Sequence, residues 1–67
     1  MKIEIYTEYI KLDQALKKCG ICGSGSEAKF IISEGNVNIG GEKEKRRGKK
    51  LYKGDSFTVF NEFYEIV

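Results

Sequence analysis

The sequence predicts an α+β fold: a two-helix corner packed on a small, mostly antiparallel sheet. Three observations carry that expectation. Two stretches show apolar residues at helical spacing, separated by only a few residues. The flanking segments alternate with period two or carry turn residues. All connections are short, so the expected order is strand, helix, helix and then four strands.

Lys2–Tyr6 alternates, with Ile3 and Ile5 on one face, and reads as a first strand. Thr7-Glu8-Tyr9-Ile10 then leads into the first helix. Leu12, Ala15, Leu16 and Cys19 form its apolar stripe. Asp13 falls in its first turn and Lys17 and Lys18 in its last, each sign where the helix dipole favours it. Gly20 is its stop. The second helix is the best marked element. Ser24 precedes Glu27 by the spacing of a capping box, in which each side chain serves the other's backbone N–H. Ala28, Ile31 and Ile32 make the buried stripe, Lys29 and Phe30 lie off it, and Gly35 ends the helix.

Beyond Gly35 the period changes to two. Val37 and Ile39 alternate with Asn36 and Asn38, and Gly40-Gly41 suits a two-residue hairpin turn into a polar return strand at Glu42-Lys43-Glu44. Lys45–Lys50 is too charged to pack and is expected as a loop or an exposed edge. Tyr52-Lys53-Gly54-Asp55 reads as a turn, Ser56–Phe60 as a strand, Asn61-Glu62 as a turn and Phe63–Val67 as the last strand. The expected core is Leu12, Leu16, Cys19, Ala28, Ile31, Ile32, Val37, Ile39, Phe57 and Val59.

With 67 residues the chain is expected to form one domain over residues 1–67. A domain of this size buries only about 60% of its unfolded surface, so modest stability is expected. A membrane span needs about 20 apolar residues, and no apolar run here exceeds three. The N-terminal Met1-Lys2-Ile3-Glu4-Ile5 lacks the apolar core of a signal peptide, so the expected location is the cytoplasm. Net charge is only +2, but it is unevenly spread. Lys43, Lys45, Arg46, Arg47, Lys49, Lys50 and Lys53 crowd a stretch whose acids are Glu42, Glu44 and Asp55. Such a cluster on a nearly neutral chain suits a polyanion partner.

Catalysis is not expected. There is no histidine, and the ten acids are scattered. Gly23-Ser24-Gly25 lacks the lysine and spacing of a phosphate loop. Cys19 and Cys22 form a Cys-x-x-Cys, but tetrahedral zinc needs more ligands than two thiols, and no βαβ unit precedes them as a redox motif would require. Cys19 lies on an apolar stripe, where a cysteine acts as a small hydrophobe. No catalytic residue, metal or cofactor is therefore assigned.

Three segments together resemble the S4 RNA-binding domain. They are Lys11-Leu12-Asp13-Gln14-Ala15-Leu16, Ser24-Gly25-Ser26-Glu27-Ala28-Lys29, and Glu34-Gly35-Asn36-Val37 with Gly41-Glu42. The family's usual form has an Arg-Leu-Asp helix start, a Ser-x-x-Glu-Ala-Arg second helix and a Gly-x-Val-x-Val-Asn-Gly hairpin. Arg46-Arg47-Gly48-Lys49-Lys50-Leu51-Tyr52 is similar to the small stand-alone bacterial branch, the YaaA/YbcJ type. The resemblance spans residues 9 to 60. Lysine replaces the leading arginine at Lys11, glycine the arginine after the cap at Gly25, and glycine the hairpin asparagine at Gly40.

The resemblance implies an αL RNA-binding motif and structured RNA as partner, namely ribosomal RNA or a ribosomal subunit, bound by a monomer. On the helices it implies RNA-facing roles for Lys11, Asp13, Ser24, Gly25, Ser26, Glu27, Lys29 and Phe30. On the hairpin and the basic stretch it implies them for Asn36, Asn38, Gly41, Lys45, Arg46, Arg47, Lys49 and Lys50. Backbone N–H groups at the second helix start would hold a further phosphate. A DNA-binding helix-turn-helix and a basic protein–protein adaptor are the alternatives. Glu27, Ala28, Ile31 and Ile32 are poor base readers, which weighs against the first.

Overall fold

The computed structural model describes all residues, Met1–Val67. Its elements are β1 (Lys2–Ile3), β2 (Tyr9–Lys11), α1 (Leu12–Lys18), α2 (Gly25–Ser33), β3 (Val37–Ile39), β4 (Glu42–Lys43), β5 (Lys50–Tyr52), β6 (Ser56–Val59) and β7 (Glu62–Ile66). The main sheet has the order β1-β7-β6-β3-β4. Only the β1–β7 pairing is parallel. A separate antiparallel ribbon joins β2 to β5. The architecture is the expected helix pair on a mostly antiparallel sheet.

Both helices end in the same way. At α1, the Ile21 N–H donates to the Leu16 carbonyl (3.1 Å) and the Gly20 N–H to that of Lys17 (3.2 Å). At α2, Asn36 and Gly35 donate to Ile31 (3.3 Å) and Ile32 (3.1 Å). These are Schellman motifs, and Gly20 and Gly35 take the left-handed backbone they require, at φ +83° and +79°. The tight helical corner follows, because each helix is closed within two residues of its last turn.

Alternation places Ile3, Val37, Phe57, Val59, Tyr64 and Ile66 on the inner face of the main sheet. Leu12, Ala15, Leu16, Ala28 and Ile32 cover it from the helices, and Ile5, Cys22 and Leu51 complete one contiguous core. Phe57 and Tyr64, cross-strand partners, stack with centroids 5.4 Å apart. Each fully buried Leu or Ile contributes roughly 1.5–3 kcal/mol.

Several local expectations need correction. Tyr9-Ile10 leads into the helix as a strand, β2, which ends at Lys11 where α1 begins. Tyr52 closes β5 and opens the expected turn, in which the Asp55 N–H donates to the Tyr52 carbonyl at 2.9 Å. Each of these strands has three residues and a single inward side chain, too short for a period to show. Phe60 leaves its strand: the second hairpin turns at Phe60-Asn61, with φ +50° and +65°, matching the two-residue left-handed turn at Gly40-Gly41. Cys19, Ile31 and Ile39 lie half-buried at the rim of the core, and Cys22 is the deeper cysteine. The helices are short, so their stripes narrow at the ends, and the corner between them folds Cys22 inward.

Candidate nucleic-acid interface

The site begins with the way α1 starts. Lys11 stands at its N-cap, and its side chain accepts nothing there. The first N–H groups of α1 have no partner within the helix. The Leu12 N–H donates to the Lys49 carbonyl (2.9 Å) and the Asp13 N–H to the Arg47 carbonyl (3.1 Å). The Gln14 N–H is taken by Asp13 Oδ1 at 2.8 Å. The basic loop between β4 and β5 is thus held across the first turn of α1 by its own backbone. A bond from the Lys49 N–H to the Arg46 carbonyl (3.2 Å) closes a turn around Arg47 and Gly48.

The β2–β5 ribbon extends the same surface. Its register sets Lys11 opposite Lys50 and Tyr9 opposite Tyr52. Ile10 and Leu51 point the other way, and Leu51 is buried. The Lys50 ammonium lies 4.8 Å over the Tyr9 ring, and the two tyrosine rings are 5.8 Å apart. Lys11, Arg47 and Lys50 are exposed and Lys49 is half-buried. The structure therefore brings Lys11, Asp13, Arg47, Lys49 and Lys50 together.

The two arginines are used differently. Arg46 turns back onto Glu44: its Nε donates to Oε2 at 2.8 Å and its Nη2 to Oε1 at 3.1 Å. The Arg46 N–H also donates to Oε2, at 3.1 Å. The guanidinium holds the Glu44 carboxyl below the usual glutamate range. Only 11% of the Glu44 side chain is exposed, against 73% for Arg46, so the carboxylate acts as the anchor. This is the sole ion pair in the structure. Arg47, Lys45 and the lysines around them have no carboxylate partner.

The start of α2 is built from its own side chains. Ser24 has an extended backbone, and its Oγ accepts from the Glu27 N–H at 3.2 Å. The return arm of the expected box is displaced by one residue. Glu27 Oε1 accepts from the Gly23 N–H (3.1 Å), not from Ser24. The N–H groups of Gly25 and Ser26 have no acceptor in the protein. A Cβ added at Gly25 would meet nothing within 4 Å, so packing does not require glycine there. Lys29 and Phe30 are exposed one turn on. In the chain this second site follows α1, whose 7 residues span about 10 Å.

The hairpin residues join neither cluster. Asn36 Nδ2 donates to the Ile31 carbonyl at 3.3 Å and so serves the end of α2. Asn38 alternates with the inward Val37 and Ile39, and so faces away from the helices. It lines an open groove of about 560 Å³ with Thr58, Phe60, Asn61 and Phe63. Gly41 lies in the turn.

The sequence reading did not anticipate Tyr9 and Tyr52. The mirrored Tyr-x-Lys and Lys-x-Tyr at Tyr9–Lys11 and Lys50–Tyr52 carried that signal, since each pair shares one face of a strand. The two cysteines are free, and burial raises both thiol pKa values, which keeps them protonated and poorly nucleophilic.

A family model described as the S4 domain matches residues 3–67. A probable ribosome maturation protein, RlbA of Bacillus subtilis (strain 168), is 47% identical over 57 residues, covering 85% of this chain and 80% of that protein. Both helix starts and the ribbon described above fall within the matched span, and on this match the chain belongs to the S4 domain family.

Proposed function

We propose that this protein is a non-catalytic RNA-binding module acting on structured ribosomal RNA or a ribosomal particle, as a monomer in the cytoplasm. One observation carries the reading: the basic loop is fixed to the start of α1 through backbone bonds, which leaves Lys11, Arg47, Lys49 and Lys50 without carboxylate partners. Those cations are free to meet phosphates while the loop keeps its shape. Lys45 adds charge at the edge. Arg46, held by Glu44, shapes the loop. The open N–H groups of Gly25 and Ser26, with Lys29 nearby, take a second phosphate. Structured RNA is recognised largely through phosphates, 2′-hydroxyls and shape, which suits flexible lysines. The name of the Bacillus subtilis relative supports a role in ribosome maturation. The absence of histidine and the protonated thiols support the non-catalytic reading.

The test is a binding titration of the purified chain against a folded ribosomal RNA fragment, ribosomal subunits and duplex DNA. Binding to the RNA and to subunits, with weaker binding to DNA, is expected. Equal or tighter binding to duplex DNA, or no binding to any RNA, would overturn the proposal.

A further inference from the structure

We infer that the β2–β5 ribbon is a base-stacking subsite, which takes an unpaired nucleobase of the bound RNA on Tyr52 with its phosphate between Lys11 and Lys50. The inference rests on the RNA-binding reading and specifies what this part of the surface recognises.

The ribbon breaks a rule of sheet pairing. Lys11 and Lys50 are directly opposite in register, and like charges so placed are destabilising. Neither has a carboxylate within ion-pair distance. Lys50 instead rests its ammonium on the face of Tyr9, 4.8 Å from the ring centroid. An anion between the two lysines would neutralise the pair. The aromatic half of the site is equally open. Tyr52 remains 42% exposed, and its ring is tilted by 52° to Tyr9 rather than stacked on it. Leu51, 1% exposed between Lys50 and Tyr52, anchors the strand in the core. An aromatic face beside two unpaired cations matches the two halves of a nucleotide, a flat base and a phosphate. Base–aromatic stacking tolerates any sequence, as does the phosphate contact.

The experiment uses the full chain and three RNAs built on one duplex: blunt, carrying a single bulged 2-aminopurine, and carrying an abasic bulge. Wild type is expected to prefer the 2-aminopurine bulge over both others and to quench its fluorescence. Tyr52→Phe should keep the preference. Tyr52→Ala should lose it, by roughly 5- to 150-fold in affinity for the base-bearing bulge. The abasic comparison needs no variant, so it holds whether or not Tyr52→Ala folds. Equal wild-type affinity for the base-bearing and abasic bulges would overturn the subsite and leave the RNA-binding reading standing. Absence of binding to all three RNAs would also overturn the subsite, and the RNA-binding reading then stands or falls on its own titration against ribosomal RNA.

Discussion

The two helices of this protein start in opposite ways. The first turn of α2 is satisfied from within, by Ser24 and Glu27, and leaves the Gly25 and Ser26 N–H groups open. The first turn of α1 has no side-chain cap from its N-cap residue and borrows carbonyls from Arg47 and Lys49, far along the chain. One end is therefore a free donor site on a self-contained helix. The other is a joint whose donors are spent fixing a loop, and it is the loop's side chains that are free. A helix N-terminus can serve a polyanion directly or by positioning cations, and under the proposed function α2 would do the first and α1 the second.

The largest effect is expected from loosening the joint. Leu51→Ala removes the buried anchor of β5 and should destabilise the fold by about 2–5 kcal/mol, read from urea denaturation. Hydrogen exchange should accelerate at the Leu12 and Asp13 amides before it does at Glu27 and Ala28. Equal acceleration at both helix starts would erase the contrast drawn here.

The open end is tested by Gly25→Pro. Proline is favoured at the first helical position and lacks only the N–H. Ser24 already has the extended backbone that a following proline demands, at φ −147° and ψ 162°. Stability should hold or rise by about 0.4–1 kcal/mol. RNA affinity should fall by the value of a charge-assisted hydrogen bond, about 1.5–3 kcal/mol. Unchanged affinity in a stable variant would remove the phosphate from this end.

A smaller change is expected from Ser24→Ala, which deletes the cap bond to Glu27 and should cost about 1 kcal/mol in a urea melt. Exchange at Leu12 and Asp13 should not respond, because their acceptors lie in the loop.

The smallest effect concerns the loop's own clamp. The Arg46 guanidinium lowers the Glu44 pKa from its ordinary 4.5. A carboxyl with a folded value below its unfolded one stabilises the fold above the unfolded value, and that contribution disappears as pH falls through the lowered one. Glu44→Gln should remove this acid-side step from urea midpoints measured across the acid range and leave the neutral-to-alkaline profile parallel to wild type.

What the sequence discloses follows the same division. The start of α2, both glycine stops and the Gly40-Gly41 hairpin are legible because every signal lies within a few residues. The β2–β5 ribbon is not, since its strands are short and their partners lie on opposite sides of both helices in the chain. Phe60 misleads, because a bulky residue at φ +50° goes against local preference. Cys22 misleads, because only the corner buries it. At the candidate site the basic cluster reads directly from composition. The use of Arg46 on Glu44, and of Asn36 at the end of α2, depends on contacts that no spacing specifies.

Under the proposed function the loop's free cations at the joint meet phosphates. A salt titration against one folded ribosomal RNA fragment tests it, comparing wild type, Arg46→Ala and the double variant Lys11→Ala/Arg47→Ala. Each lost phosphate contact should flatten the slope of log affinity on log salt by about 0.7–0.9. The double variant should therefore lose about twice that amount, while Arg46→Ala, whose guanidinium is held by Glu44, should stay near wild type. Coincident slopes for wild type and the double variant would mean that these cations do not meet phosphates.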